Sequence, residues 1–249
     1  RSLRRLLYRR LVNPQFQDLL LRERPVAVLL TGQETPQEIA MSLAADHHGV
    51  PSVLVPVSPD DIYDRGYLLA NYHQIVSWGP GFGDRLEKLH EVNSARLSKS
   101  GMLITRLQEE LLQTYSAEDE RRALAVPSGK RIVSYLSVAN YEAADTVGSV
   151  MALADAIERG ELENVVIVLR TSPWEDAGVA RARFKDNPHV RVQDSGELPF
   201  DTPGPELLAR HAALVKASSA IVMGSITSSL FQASAWNIPS ILDRSGQDQ

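Results

Sequence analysis

The sequence contains no cysteine. That excludes a disulfide framework and any thiolate metal site, and it fits a reducing, cytoplasmic compartment. No apolar run approaches the ~20 residues needed to cross a bilayer. No internal repeat, low-complexity tract or heptad runs through the chain. Metal-ligand spacing is missing too. His73, His90, His189 and His211 are scattered, and His47-His48 close a helical stretch whose C-terminal dipole suits them. Neither a metal nor another cofactor is therefore expected. Basic patches are also scarce: beyond the first two dozen residues nothing is dense enough to argue for nucleic acid.

What remains is ordinary in bulk and uneven in detail. The 249 residues are 43% hydrophobic and 23% charged, with a net charge of −5, as in a soluble globular chain with room for one large domain or two modest ones. Residues 1–24 stand apart, with seven arginines against Asp18 and Glu23. Leu3, Leu6, Leu7 and Leu11 among Arg4, Arg5, Arg9 and Arg10 make an amphipathic helix with a cationic face. Two accounts fit it: a solvated face of a helix packed on a sheet, or attraction to anionic headgroups at the inner membrane face. The chain opens mid-helix without a Met and stops just past a strand, so we expect a segment of a longer protein.

Short apolar runs alternate with helical patterns throughout. Strands are expected at 26–30, 52–57, 74–77, 102–105, 131–136, 165–169, 190–192, 220–223 and 240–242. Helices are expected at 36–48, 83–90, 106–115, 143–159, 205–216 and 228–236. Continuous Val/Ile/Leu strands argue for parallel sheets covered on both faces, a doubly wound α/β fold. The charged, Pro- and Gly-bearing stretch 117–130 reads as a connection between domains at 1–116 and 131–249, or as a long surface loop within one domain. Two Rossmann-like halves would place ligands at the carboxyl ends of their strands.

The most informative segment lies near the C-terminus. An apolar run ends in Gly224, followed by Ser225, Thr227, Ser228 and Ser229 and then a helical pattern. Strand, glycine, hydroxyl cluster and helix start present unpaired N–H groups to an anion such as a diphosphate. One hydroxyl would suffice for a helix cap alone. Arg170 ends a buried strand, where a cation can meet a phosphate or else pair with Glu175 or Asp176. Glu34, after Gly32 at a strand end, is a candidate general base or simply a helix-start acid, and Asp60-Asp61 reads as a turn and helix start.

These residues resemble a known family. The second half is similar to the donor-binding domain of GT-B glycosyltransferases, and more loosely to nonhydrolysing UDP-N-acetylglucosamine 2-epimerases and CDP-glycerol glycerophosphotransferases. Residues 130–137 look like that domain's first strand, with Ser137 in the loop that approaches the phosphates. Residues 165–173 look like the strand that often ends in Arg-Pro-His-Pro, with Ser172 in place of the His. Residues 220–239 look like the strand–turn–helix that holds the donor diphosphate, with Gln232 in place of the acidic residue that binds ribose. Asp248 and Gln249 follow Pro239 at the spacing of the family's pair on the donor sugar. Residues 31–35 and 47–53 resemble the latter part of an acceptor domain whose front is missing.

The resemblance implies a metal-independent glycosyltransferase of surface-polysaccharide synthesis, taking a sugar from a nucleotide donor to an unidentified acceptor. Ser225, Thr227, Ser228, Ser229, Arg170 and Ser137 would hold the diphosphate, and Gln232, Asp248 and Gln249 the ribose and sugar. The alternatives are a UDP-sugar 2-epimerase, or a relative that binds a nucleotide without catalysis.

Overall fold

A computed structural model describes residues 10–11, 13–32, 35–56, 67–137, 146–172, 177–193, 204–225 and 227–243. The chain divides into two compact units, Arg1–Ile104 and Thr105–Gln249. Each is built on its own parallel sheet with flanking helices, so the fold is α/β with two Rossmann-like sheets.

The first unit runs α1 (Pro14–Glu23), β1 (Val28–Leu30), α2 (Pro36–His48), β2 (Ser52–Leu54), β3 (Gln74–Ser77), α3 (Pro80–His90) and β4 (Leu97–Lys99). Its four strands pair in sequence order, all parallel. Thr35 and Glu38 form a reciprocal capping box at the start of α2, with Pro36 in the first turn. Leu30, Leu54, Ile75, Phe82 and Leu86 are buried between the sheet and its helices.

Of the cationic helix expected around residues 3–11 the described residues hold the helical residues 10–11, and a separate helix follows. Asn13 is extended, its side chain accepts from the Gln15 amide at 2.9 Å, and α1 starts afresh at Pro14. Proline lacks the N–H that a continuing helix needs, so it fits only at a first turn. Residues 1–9 lie outside the described residues. The strand expected at 102–105 is replaced by the start of α4 (Leu103–Leu111), and the fourth strand lies earlier, at β4. Gly101, at φ +76°, turns the chain between them. A four-residue apolar run fits strand or helix equally, and Leu103, Leu107 and Leu111 continue it at helical spacing.

The second unit continues α5 (Ala117–Ala123), β5 (Arg131–Leu136), α6 (Thr146–Glu158), β6 (Val165–Arg170), α7 (Ala177–Phe184), β7 (Val190–Gln193), α8 (Pro205–Ala217), β8 (Ser218–Met223), α9 (Ser228–Ala235) and β9 (Ser240–Leu242). The five parallel strands lie in the order β7-β6-β5-β8-β9. β6 shows why this sheet forms. Val165, Ile167 and Leu169 pack on one face with Tyr135, Val150 and Phe184, while Val166 and Val168 pack on the other with Leu214, Ile221 and Met223. A strand apolar on both sides is stable only when covered on both. Each such side chain contributes about 1.5–3 kcal/mol by leaving water.

Segment 117–130 begins as a helix of this second unit. Ser116 and Asp119 form a capping box for α5, Leu124 joins the core under β5 and α8, and Glu120 is wholly buried. Among the described residues no helix is long and apolar enough to cross a membrane.

Candidate functional site

In the second sheet the chain steps from β5 outward to β6 and β7, then returns to the other side of β5 with β8. That reversal makes a switch point between β5 and β8, and connections leaving the two strands on opposite sides open a crevice at their carboxyl ends. Ser137 follows β5, and Gly224 and Ser225 follow β8. The sequence-predicted hydroxyl cluster therefore follows β8, on one side of that switch point.

Thr227 caps α9. Its backbone is extended (φ −129°, ψ 174°), and its hydroxyl accepts from the Ser229 amide at 3.3 Å. Ser225 is half-buried and Ser228, the first helical residue, is exposed. With no acidic residue in the first turn, the positive end of the helix dipole is not offset from within α9. Ser229 and Gln232 face the other way. Both are buried, and both meet the same imidazole: His211 Nε2 lies 3.3 Å from Ser229 Oγ and 2.9 Å from Gln232 Oε1. The two residues assigned to phosphate and ribose are thus occupied in fastening α9 to α8.

His211 is held neutral. Burial, and next the charge of Arg170, push its pKa down to about 3, only partly offset by the bond to Gln232. A neutral imidazole donating from Nε2 leaves Nδ1 as an acceptor, and that atom is enclosed without a hydrogen-bond partner.

Arg170 ends β6, half-buried, and its Nη1 donates to Gln193 Oε1 at 2.5 Å. Ser137 binds its neighbours in the sheet: its amide donates to the Arg170 carbonyl at 3.0 Å, and its Oγ accepts from the Ser172 amide at 2.8 Å. Its side chain so ties the β5 and β6 ends together. Asp248, Gln249, Glu34, Asp60, Asp61, Glu175 and Asp176 lie outside the described residues.

Sequence reasoning missed several polar groups here. Asp243, just after β9, accepts from the Tyr135 hydroxyl at 2.8 Å and the Ser149 hydroxyl at 2.5 Å, beside the first turn of α6. Burial and this carboxylate raise the Tyr135 phenol above its ordinary range, so it stays a donor. Glu120, Gln193 and Arg210 form a second cluster. Nothing in the sequence marked Glu120, which sits in a charged stretch that reads as solvated. The first unit has its own cavity of about 380 Å³ along α3 and β4, lined in part by Ser77, Gly79, Asp84, Glu87 and Lys99. No sequence-predicted residue lines it. Among the described residues no group of three or more His, Asp or Glu could hold a metal ion.

No family model matches the chain, and no curated protein matches it. Solved structures do. The chain is similar to UDP-GlcNAc 2-epimerase from Neisseria meningitidis bound to UDP-GlcNAc, at 14% identity and TM-score 0.62, over 93% of this chain and 62% of that one. S. aureus MnaA in its co-structure with UDP matches at 16% identity and TM-score 0.64, over 97% and 64%. The Methanocaldococcus jannaschii UDP-GlcNAc 2-epimerase in complex with UDP-GlcNAc and UDP matches at 16% identity and TM-score 0.54, over 92% and 62%. The chain thus spans less than two thirds of the length of each. What these likenesses establish is the fold: two Rossmann-like units of the GT-B type, as in the UDP-GlcNAc 2-epimerases.

Proposed function

We propose that the second unit binds a nucleoside diphosphate-sugar with its diphosphate on the first turn of α9, and that the protein transfers the sugar to an acceptor hydroxyl. One observation carries this reading. Two helices start near the switch point, after β5 and after β8, and among the described residues a carboxylate is recorded at the start of the first and none in the first turn of the second. The first turn of α6 already has the Asp243 carboxylate beside it, whereas α9 has Ser225, Thr227 and Ser228 and no acid in its first turn. A second anion at α6 would meet a like charge; at α9 it meets N–H groups and hydroxyls.

Charge develops on the diphosphate as the sugar leaves. Donors fixed at a helix N-terminus, with the Arg170 cation nearby, stabilise that charge without having to reorganise. Ser228 donates from an exposed position, and Ser137 keeps the β5 and β6 ends in register beneath. Gln232 and Ser229 contribute by fixing the helix rather than by touching the ligand.

Epimerisation of a UDP-sugar is the second reading, and the fold shared with UDP-GlcNAc 2-epimerases favours it. Incubation with UDP-GlcNAc alone separates the two, since an epimerase needs no acceptor. The donor site itself is tested by melting the protein with UDP, CDP, GDP and ADP. A ligand at a hundredfold excess over its Kd stabilises by ~2.7 kcal/mol, a readily visible shift in Tm. A melting point unmoved by all four removes the proposal.

A further inference from the structure

Resting on the donor-site reading, we propose that Gln193 and Glu120 are positioning residues that aim the Arg170 guanidinium at the pyrophosphoryl group of the ligand. Arg170 and Gln193 are register partners at the carboxyl ends of β6 and β7. Gln193 is wholly buried, so its amide has no water to turn toward. Its Nε2 donates to Glu120 Oε1 at 2.6 Å and to the Arg210 carbonyl at 3.3 Å.

The orientation of that amide follows from chemistry. A carboxylate and a carbonyl are acceptors only, so the amide must turn its NH2 toward both and its oxygen the opposite way, onto Arg170. Glu120 is fixed in turn. Tyr115 donates to its Oε2 at 2.8 Å, and Arg210 donates to Oε2 at 3.2 Å and to Oε1 at 3.3 Å. The Arg210 cation balances the Glu120 anion. Gln193 therefore passes on direction without charge: through this contact Arg170 is oriented by a neutral amide and is not neutralised by it.

The chain of bonds accounts for Glu120, an ionisable residue with no exposed surface in a segment that reads as a linker. Placed against Arg170 directly, a carboxylate would cancel the charge that an anionic ligand needs. Placed one amide away, it sets the geometry alone.

A double-mutant cycle on the full chain tests this, reading Kd for UDP and for inorganic pyrophosphate by calorimetry. Arg170→Ala and Gln193→Leu should each weaken binding about tenfold, the size of one hydrogen bond to a charged group. The double variant should bind no more weakly than Arg170→Ala alone, because Gln193 then has nothing to aim. Glu120→Gln, which frees the Gln193 amide to turn over, should weaken binding similarly and lose that effect once Arg170 is removed. It also serves if Gln193→Leu does not fold. Wild-type affinity in Gln193→Leu, or a loss that adds in full to that of Arg170→Ala, overturns the positioning role while the donor site stands. A wild-type protein that binds neither probe overturns the donor site, and this inference with it.

Discussion

Thr227 and Ser228 stand side by side and do different things. The Thr227 hydroxyl is spent on the Ser229 amide, so Thr227→Ala should cost about 1 kcal/mol of stability, read as a lower urea midpoint. Ser228 is exposed and leaves the cap untouched. Ser228→Ala should hold its stability within about 0.5 kcal/mol and yet lose much of the nucleotide-induced rise in Tm. Loss of stability in both variants, with the nucleotide response intact in both, would make the hydroxyl cluster structural. His211 gives a test by pH. Its folded pKa lies below the ordinary 6.5, so the unfolded chain binds a proton here that the folded one refuses. Stability from this group is complete above pH 6.5 and is lost progressively as the pH falls toward the folded value. Between pH 6.5 and 4, unfolding should take up about one proton fewer in His211→Gln than in the wild type, measured by denaturant titration at stepped pH.

At the level of elements, α5 shows how a buried ion pair commits a helix to its place. Glu120 is enclosed, while the Arg210 side chain keeps partial contact with solvent. Removing Arg210 strands a carboxylate in the core, and Arg210→Ala should cost about 3 kcal/mol in denaturant unfolding. Glu120→Gln with Arg210→Met should cost less, since no charge is then left behind. This is also where sequence reading ran out. Long periodic elements such as α2, α8 and the fully apolar β6 are legible because burial alone selects their residues. The switch-point junction is legible for a similar reason, since strand, glycine and hydroxyls are contiguous. Glu120 is not: its partners Tyr115, Gln193 and Arg210 come from three separate stretches, and only the folded chain brings them together. Gln232 shows the same limit. Its place on the helix is legible, but its contact with His211 depends on α8.

For the molecule as a whole, the boundary matters more than its position on paper. Compaction divides the chain after Ile104, before the connection at 117–130 that composition suggests between domains 1–116 and 131–249. A fragment 105–249 retains α5 and should show a cooperative thermal transition with the α/β circular dichroism of the second unit. A fragment 131–249 loses Leu124 from the core and leaves Arg210 without its carboxylate. It should melt without cooperativity or precipitate, and equal behaviour of the two would refute the assignment of α5 to the second unit. The strand order carries one more consequence. The hydroxyls of Ser134 in β5 and Ser218 in β8 meet at 2.6 Å although 84 positions separate them. A ribosome must therefore release most of this unit before the central strand can be flanked on both sides. Until then a nascent chain presents a bare, apolar rim, and its yield in a cell will depend on translation speed and chaperone supply as much as on the strength of the finished core.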